Sequence, residues 1–279
     1  MNGYRTRSGP KGEKKMKRIW SVMLAAAVLA GCSTGTASSK SAADSSSASS
    51  SETADPSKKS DGVMTYAEYD AASADGKTEV TIEAYVQAKQ SWWDDEGQGK
   101  ATLYTQDPDG AYFIYELPIE ENDYKKLKEG TKIQVTGYKS EWSGEVEVTD
   151  ASNYKIENGT WVAEAADATN SLGDEDALLK MQNQKVSFKN LTIAASDDGG
   201  DTAYLYNYDG SGTDGDDLYF KASNDTGTYT FTVESYLCDK DSDVYKTVKE
   251  LKVGDTVDME GYLYWYEGVN PHITSVTVK

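Results

Sequence analysis

Apolar and polar residues alternate along most of this chain. Val80, Ile82, Ala84 and Val86 are separated by Thr81, Glu83 and Tyr85, the period of a strand with one buried face. Residues 101–106 and 111–117 are two more such runs. They flank Asp107-Pro108-Asp109-Gly110, a turn signal that predicts a hairpin. A helix is expected over 123–128, with Asp123 as its N-cap and Gly130 at its end. Ile133 and Val135 then alternate into a fourth strand, and Val146 and Val148 into a fifth.

This order recurs. Residues 127–138 and 251–262 share the pattern L-K-x-G-x-x-apolar-x-apolar-x-G-Y at an offset of 124. Upstream, residues 101–104 align with 203–206, and Val80-Thr81-Ile82 with Val186-Ser187-Phe188. Helical candidates at 66–72 and 175–181 open the two halves. The pattern reads as two divergent copies of one domain, over 62–157 and 158–279. Strand, strand, strand, helix, strand, strand resembles the OB-fold, and Asn270-Pro271-His272-Ile273-Thr274 resembles the fifth strand of its nucleic-acid-binding branch. The resemblance implies an all-β chain of two tandem five-stranded OB-like Greek-key barrels, each with a short helix before strand four. An extended region over 209–230 is expected between strands two and three of the second copy. A pair of β-sandwich modules is the rival architecture.

The N-terminal part has a different pattern. Lys17 and Arg18 precede an apolar run over 19–31, too short for a membrane span and suited to a signal-peptide core. It ends in Leu29-Ala30-Gly31-Cys32, which resembles the lipobox of bacterial lipoproteins. With the tandem repeat, it resembles the tandem OB-like lipoproteins of Gram-positive bacteria, a family of unknown function. That implies lipidation of Cys32, a membrane as partner, and an extracytoplasmic location. Residues 16–31 are then the signal peptide, Met16 is the expected start, and 1–15 a mis-annotated leader. In 33–61, 12 of 29 residues are serine, too polar to form a core, so a disordered tether is expected with a reach of about 30 Å.

Composition narrows the function. With one histidine, His272, and two cysteines, Cys32 and Cys238, the chain has no disulfide scaffold and no Cys/His zinc cluster. His272 lies in a predicted final hairpin with no motif around it. Cys238 follows Tyr236-Leu237 in an expected apolar strand beside Asp239, a setting for a core thiol and not for a nucleophile. No feature points to an enzyme. Gly210-Ser211-Gly212-Thr213-Asp214-Gly215 matches a dinucleotide-binding pattern, but precedes a strand-like run and not a helix. Asp239, Asp241, Asp243 and Glu250 have the spacing of a calcium loop, the one weak metal candidate; Val244 stands where such a loop turns on glycine.

OB-folds bind on the face of strands two and three and with the loops joining strands 1–2 and 4–5. In the first copy this places Trp92, Trp93 and Trp142 on the rim, with Tyr104 and Tyr112 on the intervening strands. In the second it places Trp265 and Tyr266 in the 4–5 loop. These rings are suited to stacking on bases or sugar rings. The formal charge of −19 becomes −24 over 62–279, where 18 basic residues face 42 acidic ones. Asp94, Asp95 and Glu96 stand beside the tryptophans. Such a field repels phosphate. The residues therefore favour a glycan or protein ligand and disfavour nucleic acid, although the fold resemblance points towards single-stranded nucleic acid. A structural or assembly subunit without a small ligand is the third reading. In that case the aromatic loops pack inward or against the other copy.

Overall fold

The computed structural model describes residues 55–197 and 200–279. The signal-like segment, Cys32 and most of the serine-rich stretch lie outside the described residues. The first sheet contains β1 (Asp75–Lys89), β2 (Trp93–Asp95), β3 (Gln98–Gln106), β4 (Ala111–Pro118), β5 (Thr131–Trp142) and β6 (Glu145–Thr160). Helix α1 (Tyr66–Ala71) precedes it, and α2 (Glu121–Tyr124) lies between β4 and β5. β1 pairs antiparallel with both β3 and β5, β3 with β4, and β5 with β6, while β4 runs parallel to β6. The five long strands therefore close on themselves as β1-β3-β4-β6-β5-β1. β2 is an extra strand on β3.

The second sheet repeats this ring. It contains β7 (Ala166–Asp167), then α3 (Glu175–Leu179), β8 (Lys185–Ala194), β9 (Tyr204–Tyr206), β10 (Leu218–Asn224), β11 (Gly227–Val233), α4 (Asp243–Glu250), β12 (Thr256–Tyr262) and β13 (His272–Val278). β8 pairs with β10 and β12, β10 with β11, β12 with β13, and β11 runs parallel to β13. Closed connectivity with a helix before the fourth long strand is that of an OB-fold, twice over. Two open sandwiches would not return the last strands to the first.

The repeated motif has a physical basis. Gly130 and Gly254 have φ of +83° and +96°, the left-handed region that lets the chain turn into the fourth long strand. Gly137 and Gly261 sit where β5 and β12 meet β6 and β13 at a register shift. A Cβ at Gly137 would lie 2.8 Å from the Thr149 carbonyl oxygen, and one at Gly261 2.1 Å from that of His272. The strand crossing admits no side chain there.

Alternation delivers the cores. Val80, Ile82, Ala84, Leu103, Ile114 and Ile133 fill the first barrel, and Phe188, Phe220, Phe231 and Met259 the second. The 107–110 turn is fixed by Asp107, whose buried carboxylate accepts from the Asp109 and Gly110 amides (2.7 and 3.0 Å), from the Tyr112 hydroxyl (3.0 Å) and from Lys59.

Several sequence expectations change. Asp123 does not cap a helix: α2 begins at Glu121, and Asp123 accepts instead from Lys126 and the Tyr154 hydroxyl (2.7 and 2.8 Å). Residues 203–206 do not match 101–104 in space. β9 is an extra strand on β10, as β2 is on β3, and the counterpart of β3 is β10. The inserted loop accordingly lies between β9 and β10, and β10 and β11 meet in a tight hairpin at Asn224 and Gly227. β6 continues to Thr160, past the boundary drawn at 157. The end of the serine-rich stretch is docked on the first barrel: Lys59 donates to the Glu83 carbonyl (2.6 Å) and Ser60 to its carboxylate (2.6 Å).

Candidate ligand-binding face

The face of an OB barrel that takes ligands is the outer side of its second and third long strands. In the first barrel these are β3 and β4. Leu103, Tyr112 and Ile114 point inward, so Tyr104 and Phe113, paired across the two strands, point out. They are nevertheless 1% and 2% exposed, because the second barrel covers them. Tyr104 packs on Tyr262 (ring centroids 4.9 Å) and Phe113 on Tyr264 (5.2 Å), with Leu237 against the same cluster. The Tyr104 hydroxyl lies 2.7 Å from Nδ1 of His272, whose ring stacks on Tyr264 at 4.3 Å.

Polar contacts surround this joint. Ser91 N donates to the Tyr236 carbonyl (2.9 Å), Gln90 to Glu234 (3.1 Å), Asn183 to the Val146 carbonyl (3.0 Å), and Trp265 N to the buried carboxylate of Glu145 (2.9 Å). Burial pushes the Glu234 carboxyl up to about 8, with Asp217 adding to the effect, and holds His272 down at about 3.

Of the expected binding residues, Tyr104, Tyr112 and Trp265 are buried, and Trp92, Trp93, Trp142 and Tyr266 are half-buried against other groups. Trp92 donates Nε1 to the Ile119 carbonyl (2.9 Å) and packs on the first core. Trp93, on β2, lies under the Lys100 ammonium at 5.0 Å. Lys100 also pairs with Asp95 (2.8 Å), and Asp94 accepts from the Gly97 amide (2.9 Å), so two of the three neighbouring acids serve their own hairpin. Tyr112 is fully buried in the first barrel, and Tyr104 is buried in the joint; neither is available to a ligand. Trp265 is 6% exposed and sits over Gly144 of the β5–β6 turn. Trp142 stands against Tyr266 of the other barrel (5.0 Å, 32°). The tryptophans of the first barrel thus meet three different partners.

The equivalent face of the second barrel has a different outcome. Leu218, Phe220 and Ala222 fill the core, so Tyr219, Lys221 and Ser223 point out from β10. Across from them on β11 stand Thr232, Thr230 and Thr228. Thr232 is buried and donates to Asn270 (2.7 Å), and the others are half-buried or exposed. Tyr208, 48% exposed, meets Tyr219 edge-on at 5.7 Å. Burial raises the Tyr219 hydroxyl above its ordinary value, and Asp217, Glu234 and Tyr266 add to the shift. Tyr266 in turn carries Trp142. Rings from the β9–β10 loop, β10 and the β12–β13 loop therefore border a strip of threonines and Lys221. Tyr208, Tyr219, Lys221 and Thr230 were missed in the sequence reading. The Leu218-Tyr219-Phe220-Lys221-Ala222 alternation is the signal, and it is hidden when 203–206 is read as the second strand.

The remaining chemistry is structural. His272 is at the joint. Cys238 follows a turn after β11, not a strand, and burial beside Glu234 and Asp239 pushes its thiol up to about 12. The calcium spacing does not gather. Asp239 accepts from the Asp241 amide (2.9 Å), Ser242 caps α4, and Asp243 and Glu250 occupy its opposite ends, about 10 Å apart along the axis. Among the described residues no cluster of His, Cys, Asp or Glu could hold a metal. The glycine-rich stretch at 210–215 is a loop in which Thr213 N donates to Asp216 (2.8 Å).

No protein-family model matches the chain, and no curated protein matches it. Solved structures do. The p204 HINb domain is 12% identical, covers 74% of this chain and 100% of its own, at a TM-score of 0.35. A murine DNA-binding protein bound to double-stranded DNA is 14% identical, with 71% and 94% covered, at 0.31. The single-stranded DNA-binding protein from Thermus aquaticus is 16% identical, with 74% and 96% covered, at 0.24. These values describe a distant likeness and transfer no function. They do correct one expectation. The expectation that nucleic acid is disfavoured runs against them, since proteins described as DNA-binding stand among these structures. Net charge sums the whole chain, whereas binding resides in a site. Cys32, through which a membrane partner is expected, lies outside the described residues; among these no helix is long and apolar enough to cross a membrane.

Proposed function

We propose that this chain is a non-catalytic binding protein whose second barrel takes the bases of single-stranded nucleic acid on the outer face of β10 and β11. The observation that supports it is the exposed ring of Tyr208 set edge-on to Tyr219 of β10, beside Lys221 and the β11 threonines, on the OB face that the other barrel does not cover among the described residues. Every base has a flat face, and stacking on an aromatic ring contributes about 1–3 kcal/mol per base whatever the sequence. Lys221 is the cation on the face itself. Binding is therefore driven by stacking and not by phosphate neutralisation. Affinity then falls only shallowly with salt, with a logarithmic slope near −0.7 for about one phosphate contact. Anisotropy of a labelled oligonucleotide across a salt series tests this. A steep slope would assign the affinity to a basic surface elsewhere, and no binding at low salt would remove the reading.

One observation favours a second role in parallel. Trp142 of the first barrel and Trp265 of the second each stand against the opposite barrel, as expected of a structural unit, so the first barrel serves to present the second. The basic-then-apolar pattern of residues 17–31 supports an extracytoplasmic location, which cell fractionation tests: recovery in the cytoplasmic fraction would reject it.

A further inference from the structure

A cavity of about 500 Å³ opens on another side of the joint, away from β10 and β11, among α1, the β5–β6 turn and the segment after α3. It is within the usual size range for small-ligand pockets. Tyr66 and Trp265 supply ring walls. Tyr69 and Asn183 also line it; they are 3% and 5% exposed, and Oη of Tyr69 and Oδ1 of Asn183 have no hydrogen-bond partner within the protein. A buried polar atom left unpaired is costly, so two lining one cavity mark a place where a bound group belongs. At the exposed rim stand the carboxylates of Asp70 and Glu141.

The donor–acceptor balance selects the ligand. Lys139 lines the same cavity, but its three protons are taken by the carbonyls of Tyr69, Asp70 and Ala72 at the end of α1 (2.8, 2.9 and 2.9 Å). It has no proton left for an anion. The amide of Asn183 already donates to Val146. What the cavity offers is chiefly acceptors, Asn183 Oδ1 and two carboxylates, with the Tyr69 hydroxyl able to accept or donate. A ligand that fits must bring donors, and the two rim carboxylates, the rings and the acidic chain as a whole attract positive charge against the one cation in the lining, Lys139.

We propose that this cavity is a binding site for a small alkyl diammonium, one ammonium at the buried Tyr69–Asn183 end and the other between Asp70 and Glu141. The test is calorimetry of the whole protein at physiological salt with 1,4-diaminobutane, and with 1,4-butanediol as the uncharged probe of the same length. Saturable binding of the diamine alone is expected. Tyr69→Phe removes only the unpaired hydroxyl, so it keeps the fold; it should raise the ligand-free melting temperature and weaken the diamine about tenfold. Glu141→Gln, at the exposed rim, should weaken it several-fold. Equal binding of diol and diamine, no saturable binding at millimolar diamine, or a diamine affinity unchanged in both variants would each overturn the site.

Discussion

The hydroxyl of Tyr104 on β3 and Nδ1 of His272 on β13, 168 residues apart in the chain, lie 2.7 Å from each other and join the two barrels. Both groups are buried, and His272 is held neutral, with its pKa at about 3. Its Nδ1 and the tyrosine hydroxyl satisfy one another. Tyr104→Phe keeps the ring stacking but leaves the imidazole nitrogen unpaired. The expected loss is about 1–3 kcal/mol, read from urea unfolding. An unchanged midpoint would show that the contact contributes nothing.

The pH dependence of stability follows from two groups at this joint. The folded pKa of His272 is depressed from 6.5, so its contribution is complete above pH 6.5 and is lost as pH falls towards 3. The folded pKa of Glu234 is raised from 4.5 to about 8, so its contribution is complete below pH 4.5 and is lost as pH rises towards 8. Between 4.5 and 6.5 the two slopes oppose each other, and above 6.5 Glu234 alone remains. Glu234→Gln should flatten the fall between pH 6.5 and 8, which is up to about 1.4 kcal/mol per unit in the parent. Parallel profiles for parent and variant would place the titration elsewhere.

The motif glycines are steric. Gly261→Ala puts a methyl group 2.1 Å from the His272 carbonyl oxygen, so β12 and β13 must separate. A loss of about 1–3 kcal/mol or more is expected from such overpacking, with a lower melting temperature. Gly97→Ala meets open space and should cost less, through its φ of +94° alone. Equal losses would remove close packing as the reason for the repeated G-Y.

Because Phe113 and Tyr264 bury each other across the joint, the two barrels should unfold together. One transition by circular dichroism and by tryptophan fluorescence is expected for the parent. In Phe113→Ala, which removes part of the joint at a cost of about 3–5 kcal/mol, the two probes should separate. Separate transitions in the parent would contradict a cooperative joint.

How much of this was legible depended on how local each feature is. Alternation at Val80–Val86, the Asp107–Gly110 turn and the L-K-x-G to G-Y motif are dictated by neighbours in sequence, and the double OB-fold follows from them. The fate of a face is not local. Tyr104 and Tyr219 both point outward from the second long strand of their barrels, and only the docking of one barrel on the other buries the first fully and leaves the second half-buried beside the exposed Tyr208. The same docking moved Trp142, Trp265 and Tyr266 from an expected rim into contact between barrels. It also shows why a charge sum over 62–279 is a poor guide to a site: many of those carboxylates cap turns and helices.

The claim that the second barrel carries the binding face is tested most directly by equilibrium binding of a labelled single strand of about twelve nucleotides, a length within the usual OB-fold site sizes. The parent protein is compared with Tyr208→Ala and Trp93→Ala. Tyr208 is exposed on the proposed face, and Trp93 lies on β2 of the first barrel. The account predicts saturable binding by the parent, weakened about fivefold to a hundredfold by Tyr208→Ala and unchanged by Trp93→Ala. Failure of the parent to bind, or an equal loss in Trp93→Ala, would contradict it.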